Sequence, residues 1–515
     1  MSTQTPVTPV TPYRSSVEPA ARDGFAQLLR AEWTKFRTVR RWGLALLAAV
    51  LVTVFISYFT ASSSSFDRDP ADGDKLPATD AQGLQVRDAF YFVHQGLAGD
   101  GSITTRVSGL TGERPKQAPE WAKAGIILKE STEQGAPYVA LMVTEKHGVR
   151  LQTGFTGDEA GSATPPGEPR WLRLTRDGAT VIGYESADGK QWDKVAAARL
   201  DGAPKTVRAG LFVASPGIFE LKREFGMSAM GERPSRSTAK FDQVSLSGPG
   251  TGAGGSAGSW QSTDVGEIRD GKGTLERSGS TFTLTGSGDI APGAQDMDPV
   301  NSGLSGSQLG LVLVAALGVL FITTEYRRGM IRTTLMASPR RPRVLAAKAV
   351  VIGAVVFLAG LVASVASFLI SQPILRDNGH KHPYFHEFSL TDGPALRAVI
   401  GTAAVLALIA VLGLGLGALM RHTAAAIATV VVLFVLPLIL VSGLPLGLAQ
   451  LLEQVTPVAG FAIQQTIPRY DQVASACLPE TGCYPQGPWT GLATLFAYAV
   501  GVLGLAMWRL RRRDA

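Results

Sequence analysis

The sequence predicts an α-helical membrane protein with six transmembrane helices and an all-β sandwich inserted between the first and second of them. Three observations carry this reading. Only 18% of the 515 residues are charged, while 45% are hydrophobic. Six apolar runs, nearly free of charge, match the roughly 20 residues that a helix needs to cross a bilayer. Charge is also partitioned. Residues 61–302 carry 26 Lys+Arg and 31 Asp+Glu, a net of −5, whereas the remainder carries 23 and 11, a net of +12. These basic residues flank apolar runs rather than gather on a water-soluble face, which argues against a nucleic-acid binder.

In order, residues 1–24 are rich in Thr, Pro and Ser and read as a disordered tail. Residues 25–41, FAQLLRAEWTKFRTVRR, place Phe25, Leu28, Leu29, Trp33 and Phe36 at helical spacing with charges between them. That is the pattern of an amphipathic helix lying in the membrane interface. The first span, 42–59, is the uncharged WGLALLAAVLVTVFISYF. Its basic flank and the TASSSS that follows also fit a cleaved signal peptide. The run is longer than a signal core of about 7–15 residues, however, and an uncleaved anchor is expected.

Residues 60–247 read as the outer sandwich. Short runs such as FYFVHQGL, PYVALMVT and WLRLTRDGATVIGYESADGKQW are rich in Val, Thr and aromatics. Gly, Asp and Pro punctuate them as hairpin turns. Residues 248–303 read as a Gly-rich linker, GPGTGAGGSAGSW, and a small β-rich segment. Further spans follow at 304–324, 349–370, 398–420, 423–446 and 489–508, with loops at 325–348 and 447–488 and a basic tail at 509–515.

Orientation follows from Lys and Arg in the short flanks. Arg30, Lys35, Arg37, Arg40 and Arg41 precede the first span. The segment Glu325–Lys348 carries six arginines and one lysine against one acid, and Arg421 lies between the fourth and fifth spans. Arg509, Arg511, Arg512 and Arg513 close the chain, while the opposite loops are poor in charge. Both termini are therefore expected to be cytoplasmic and the sandwich extracellular.

Chemistry-bearing motifs are sparse. GEIRDGKGT, 266–274, nearly matches a phosphate loop, but Gly273 stands where a Mg²⁺-binding hydroxyl is needed. GTGAGG, 250–255, satisfies a dinucleotide pattern only because the linker is glycine-rich. His380, His382 and His386 crowd one outer loop without a fourth fixed ligand, so a polar loop is preferred to a metal site. Cys477 and Cys483 share the other outer loop, where an oxidising compartment favours a disulfide. No paired carboxylates or nucleophile elbow emerge, and Glu325 reads as a membrane-edge carboxylate near Arg327 and Arg328.

The stretch FITTEYRRGMIRTTLMASPRRPRVLAAK resembles the cytoplasmic loop of bacterial ABC-2 type transporter permeases. The matching positions are Glu325, Gly329, Arg332, Leu335, Pro339, Arg340 and Lys348, and Arg327 and Arg328 lie in the same expected coupling loop. The six-span layout and the amphipathic helix at 25–41 agree with the family. The resemblance implies that this loop couples the chain to a separate ATP-binding subunit. ATP and Mg would then be held by the partner, with no cofactor bound by this chain. It also implies a dimer of permease subunits.

The insert departs from the plain family. FYFVHQGLAGDGSITTRVSGL and WAKAGIILKEST resemble concanavalin-like (jelly-roll) sandwich domains of bacterial surface proteins. Such folds bind carbohydrate on aromatic platforms, for which Tyr91, Trp121, Tyr138, Trp171 and Trp192 are the candidates here. The expected function is thus the permease subunit of an ATP-driven exporter in a bacterial cell membrane, not an enzyme, in contact with membrane lipids and not with nucleic acid. A membrane-anchored carbohydrate receptor or envelope scaffold is the alternative.

Overall fold

The computed structural model describes residues 24–67, 77–165, 167–224, 227–249, 259–268, 270–293, 297–327, 329–330, 341–473, 477 and 483–512. Residues 1–23 of the expected tail and 250–258 of the glycine linker lie outside the described residues.

The amphipathic segment forms α1, Phe25–Thr38, and a break at the extended Val39 separates it from the first span, α2, Arg40–Ser63. After the insert comes a short turn of helix, α3, Pro299–Gly303, whose first amides donate to the Asp298 carboxylate. The remaining elements are α4, Ser307–Arg327; α5, Arg341–Asp377; α6, Gly393–Met420; α7, Thr423–Val441; α8, Leu446–Val455; and α9, Pro488–Arg512. Among the described residues, six helices are long and apolar enough to cross a membrane: α2, α4, α5, α6, α7 and α9.

Several ends differ from the expected ones for local reasons. α5 outruns the apolar run 349–370 on both sides, because helix continues where Arg341, Arg343 and Arg376 can reach water. α7 stops at Val441, five residues before the expected end, just ahead of Gly443 and Pro445. The stretch read as an outer loop, 447–488, begins with α8 and a 3₁₀ segment, Pro457–Gln464, meeting at 95°. Thr456, extended before Pro457, makes the corner.

α4 and α6 form the centre of the helical region, whereas α2, α7 and α9 expose apolar faces including Phe55, Leu436 and Phe496. The α4–α6 contact depends on small residues that let the backbones approach. A Cβ on Gly318 of α4 would lie 2.1 Å from the Ala410 carbonyl oxygen of α6. The two helix backbones would have to part to admit any side chain there. Gly318→Leu is therefore expected to cost about 2–3 kcal/mol, read as a lowered thermal unfolding midpoint in detergent.

The insert between α2 and α4 is two seven-stranded antiparallel sheets packed face to face. The first runs Asp193–Arg199, Thr180–Ser186, Arg170–Asp177, Gly101–Arg114, Arg236–Ser247, Thr281–Gly286 and Thr274–Ser278. The second runs Gln261–Val265, Phe90–Ala98, Thr206–Ala214, Lys123–Lys129, Tyr138–Thr144, Val149–Thr153 and Gly157–Ala160. Alternate residues of both, among them Val93, Ile126, Leu141, Leu172, Leu211 and Phe241, fill the space between them.

The stretch that composition sets apart as a small β-rich segment is built into this body. Gln261–Val265 pairs with Phe90–Ala98 in one sheet, and Thr281–Gly286 pairs with Arg236–Ser247 in the other. The outer face of the second sheet is covered as well. Phe90, Phe92, Tyr138, Phe155 and Phe212 form an apolar cluster closed by Val86 and Ile290 of a two-stranded ribbon, Val86–Asp88 with Ile290–Pro292.

Candidate functional site

On the side of the helical region away from the sandwich, four charged residues from three helices meet in a buried cluster. Lys348 of α5 lies within 2.7 Å of both Glu32 Oε2 of α1 and Glu325 Oε1 of α4. Lys35 of α1 lies 2.9 Å from Glu32 Oε1 and 3.3 Å from Glu325 Oε1. The Lys348 side chain is 1% exposed and that of Glu32 3%, whereas Lys35 is 43% exposed and opens the cluster to water. Two ammonium groups thus balance two carboxylates, which is the condition for charge to persist out of water.

Aromatic rings seal the cluster. Lys348 Nζ lies 5.0 Å from the Phe321 ring centroid, and Phe36 and Trp42 meet Phe321 edge-on. Burial by itself would lower the Lys35 ammonium, but the Glu32 and Glu325 carboxylates outweigh it and hold the group above its ordinary value. Glu325 Oε2 is buried without a hydrogen-bond partner.

The helices deliver these groups by simple periodicity. In α1, Leu28, Leu29, Glu32 and Phe36 share one face, so Glu32 sits within the apolar stripe rather than opposite it. Glu325 is two residues from the end of α4, and Lys348 lies two turns into α5. The cluster therefore joins both stems of the segment between α4 and α5 and lays α1 across them. Neighbouring contacts extend the grip. Thr423 Oγ1 bonds Thr323 Oγ1 at 3.0 Å, the Arg421 guanidinium lies over Tyr326, and Arg341 donates to the Leu510 carbonyl.

Of the loop residues singled out by sequence, the structure brings Glu325 and Lys348 together. Arg327 is exposed at the end of α4. Gly329 follows with a φ of +68°, the left-handed turn that ends a helix at little cost only for glycine. Arg328, Arg332, Leu335, Pro339 and Arg340 lie outside the described residues. Among the described residues the partners of Glu325 are Lys348 and Lys35, and Arg327 is exposed, because the last turn of α4 points Glu325 inward. Glu32 and Lys35 were missed. The legible signal was a carboxylate inside the apolar stripe of α1.

Of the aromatic candidates of the insert, Tyr91, Trp121 and Tyr138 are buried, and Trp171 and Trp192 are half-exposed. Tyr138, 1% exposed, meets Phe155, and Tyr91, 5% exposed, packs against Gly273. Trp121 is buried and stacks on His147 at 3.9 Å. Gly189 closes over the Trp171 ring, and the Arg173 guanidinium lies 3.8 Å from that of Trp192. No ring among the buried three offers a face to a ligand.

The three outer-loop histidines diverge. His380 is buried beside Phe66 and Phe385, His382 is exposed, and His386 stacks on Phe388. Among the described residues, no group of three His, Cys, Asp or Glu side chains is placed to hold a metal ion. Cys477 and Cys483 form a disulfide.

A family model described as "ABC-2 family transporter protein" matches residues 27–515, and the chain belongs to that family. The family is one of non-catalytic transport subunits, and membership implies pairing with an ATP-binding cassette subunit. No curated protein matches the chain. Among solved structures, a functionally unknown protein from Saccharomyces cerevisiae is 16% identical, with 36% of this chain and 92% of that chain covered and a TM-score of 0.24. Scytalido-glutamic peptidase bound to a transition-state-analogue inhibitor is 8% identical, with 38% and 98% covered and a TM-score of 0.25. Similarity at those scores carries no argument about fold or function.

Proposed function

We propose that this chain is the membrane-spanning permease of an ATP-driven ABC-2 exporter, coupled to its ATP-binding subunit through the segment between α4 and α5. The observation that carries the reading is the buried cluster at the base of that segment. A force applied to the segment by a partner would reach α4, α5 and α1 as one unit, because all three share Lys348 and its carboxylates. α4 in turn packs closely on α6, the core of the helical region. The partner would hold ATP and Mg, and its hydrolysis cycle would rock these helices.

The basic residues on the cluster's side support a reading in which that side and both termini face the cytoplasm of a bacterial cell and the sandwich lies outside. The exposed apolar faces of α2, α7 and α9 would meet lipid or a second permease subunit. The insert is read as a concanavalin-like sandwich because two seven-stranded antiparallel sheets pack face to face. Three of its five candidate aromatics, Tyr91, Trp121 and Tyr138, are buried, which gives a carbohydrate-receptor role less support than a structural one, while Trp171 and Trp192 stay half-exposed.

The test is isolation of the protein from its native membrane in mild detergent. The expected result is an ATP-binding cassette subunit that co-purifies with the wild type and is lost from an Arg332→Glu, Arg340→Glu variant. Absence of any such subunit, even after cross-linking, would overturn the reading.

A further inference from the structure

At the outer end of the helical region, a cavity of about 580 Å³ opens where α6 and α9 begin. Its lining includes His386, Phe388, Arg397, Ile467, Arg469 and Pro485. Three features set it apart from an ordinary surface cleft.

The first is a pair of guanidinium groups, Arg397 and Arg469, in one lining. Arg397 and Arg469 converge on one residue: Arg397 Nη2 donates to the Gln465 carbonyl, and Arg469 Nη2 lies 3.4 Å from Gln465 Oε1. Among the described residues Arg469 also contacts the disulfide sulfurs of Cys477 and Cys483, at 3.2 and 3.1 Å. Arg397 Nε is buried without a hydrogen-bond partner. The lining contains no carboxylate among the described residues; the acids that act on the two arginines, Asp298 on Arg397 and Glu453 on Arg469, lie outside it. The nearby Asp298 is already occupied by the Thr466 amide and hydroxyl, the Ile467 amide and the first amides of α3.

The second is an apolar remainder. Phe388, Ile467 and prolines supply most of the wall, and the flanking Leu396 and Trp489 expose their side chains at the helix ends. Arg397 is one turn into α6 and Pro488 begins α9, so the mouth lies at the depth of outer-leaflet headgroups.

The third is bracing by the sandwich. The Gln85 amide donates to the Pro383 carbonyl at 2.9 Å, and buried Gln472 donates to the Phe155 carbonyl at 3.2 Å. Both loops that wall the cavity are thereby held from outside, which steadies Arg469 opposite Arg397 on α6 before a ligand arrives.

From these features we infer that the cavity binds an amphipathic anion, its phosphate or carboxylate headgroup paired with Arg397 and Arg469 and its apolar part against Phe388 and Ile467. Guanidinium groups suit such headgroups because their planar N–H donors match two oxygens at once. The volume suits a small-molecule site, not a whole two-chain lipid. The same chemistry could be supplied by a bilayer lipid headgroup or by an amphiphile delivered for transport.

The experiment uses the full-length protein in phosphatidylcholine nanodiscs with dansyl-undecanoic acid as fluorescent probe. The uncharged dansyl-undecanol is the control. The acid should bind saturably and the alcohol should not. Arg397→Gln and Arg469→Gln should each weaken binding by about tenfold, and Ile467→Trp, which fills the cavity, should abolish it. Arg469 is exposed and its replacement leaves the fold intact, so an unchanged unfolding midpoint separates lost binding from lost structure.

Phosphatidylglycerol added to the disc identifies the source. Displacement of an arginine-dependent signal supports a lipid headgroup, and retention of that signal supports a delivered amphiphile. Equal binding of acid and alcohol, indifference to both arginine replacements, or no saturable binding would overturn the inference. So would displacement by inorganic phosphate as effective as by an amphiphile. Because the site is defined apart from the α4–α5 segment, loss of the ATP-binding partner would leave these results unchanged.

Discussion

Lys348→Met is expected to destabilise the helical region by about 3–5 kcal/mol, because it leaves Glu32 and Glu325 as buried carboxylates with only half-exposed Lys35 to balance them. The same change should reduce ATPase stimulation in the reconstituted complex by about tenfold, since the stems of the α4–α5 segment would no longer move together. The companion variant Glu32→Gln, Glu325→Gln, Lys348→Met separates the two effects. It has no unbalanced buried charge and should regain most of the thermal stability, while the weaker neutral contacts leave stimulation low. Unfolding midpoints and ATP turnover, measured on the same preparations, check both parts. A Lys348→Met protein with wild-type stability and turnover would remove the cluster from the mechanism.

The second large effect is expected in the sandwich. Lys129 and Asp88 are both fully buried and 2.7 Å apart, with Lys129 also donating to the Ala136 carbonyl and Asp88 accepting from the Gly135 amide. Burial pushes the Asp88 carboxyl up and the Lys129 ammonium down from their ordinary values, so the desolvation cost outweighs the attraction. Lys129→Met should then cost about 3–5 kcal/mol by stranding a buried carboxylate. Asp88→Leu with Lys129→Met should recover most of that loss, short of the two backbone groups left without partners. Proteolytic susceptibility of the sandwich against temperature reads the difference. Equal loss in the single and double variants would show that the pair stabilises the fold outright.

Legibility followed the range of the interactions. The six spans and the amphipathic α1 depend on local periodicity, and the structure places helices on all seven stretches. The positive φ of Gly329 at the end of α4 is likewise a local matter. Glu32 and Lys348 are 316 positions apart, so no local pattern pairs them, although each is conspicuous as a charge within an apolar face. The strands between Gln261 and Gly286 look like an appendage beside a glycine-rich linker. They join the sandwich because edges of both sheets await them, which only the folded insert shows. The corner between α8 and the 3₁₀ segment includes Glu453, whose burial is set by the packing around it and by no local pattern. The aromatics of the insert show how tertiary packing qualifies residue type. Residue type marks a ring as able to stack on a ligand, but the burial of Tyr91, Trp121 and Tyr138 is set by distant parts of the chain that no local pattern shows.

The most direct test of the central claim is a photo-cross-link from Met330, which is exposed just beyond α4. With benzoylphenylalanine at this position in the native membrane, the account predicts an adduct with an ATP-binding cassette subunit. The same group at Trp489, exposed at the opposite end of the helical region, should give no such adduct. Cross-links from Met330 to lipid or to other proteins, with no ATP-binding subunit among the products, would contradict coupling through this segment.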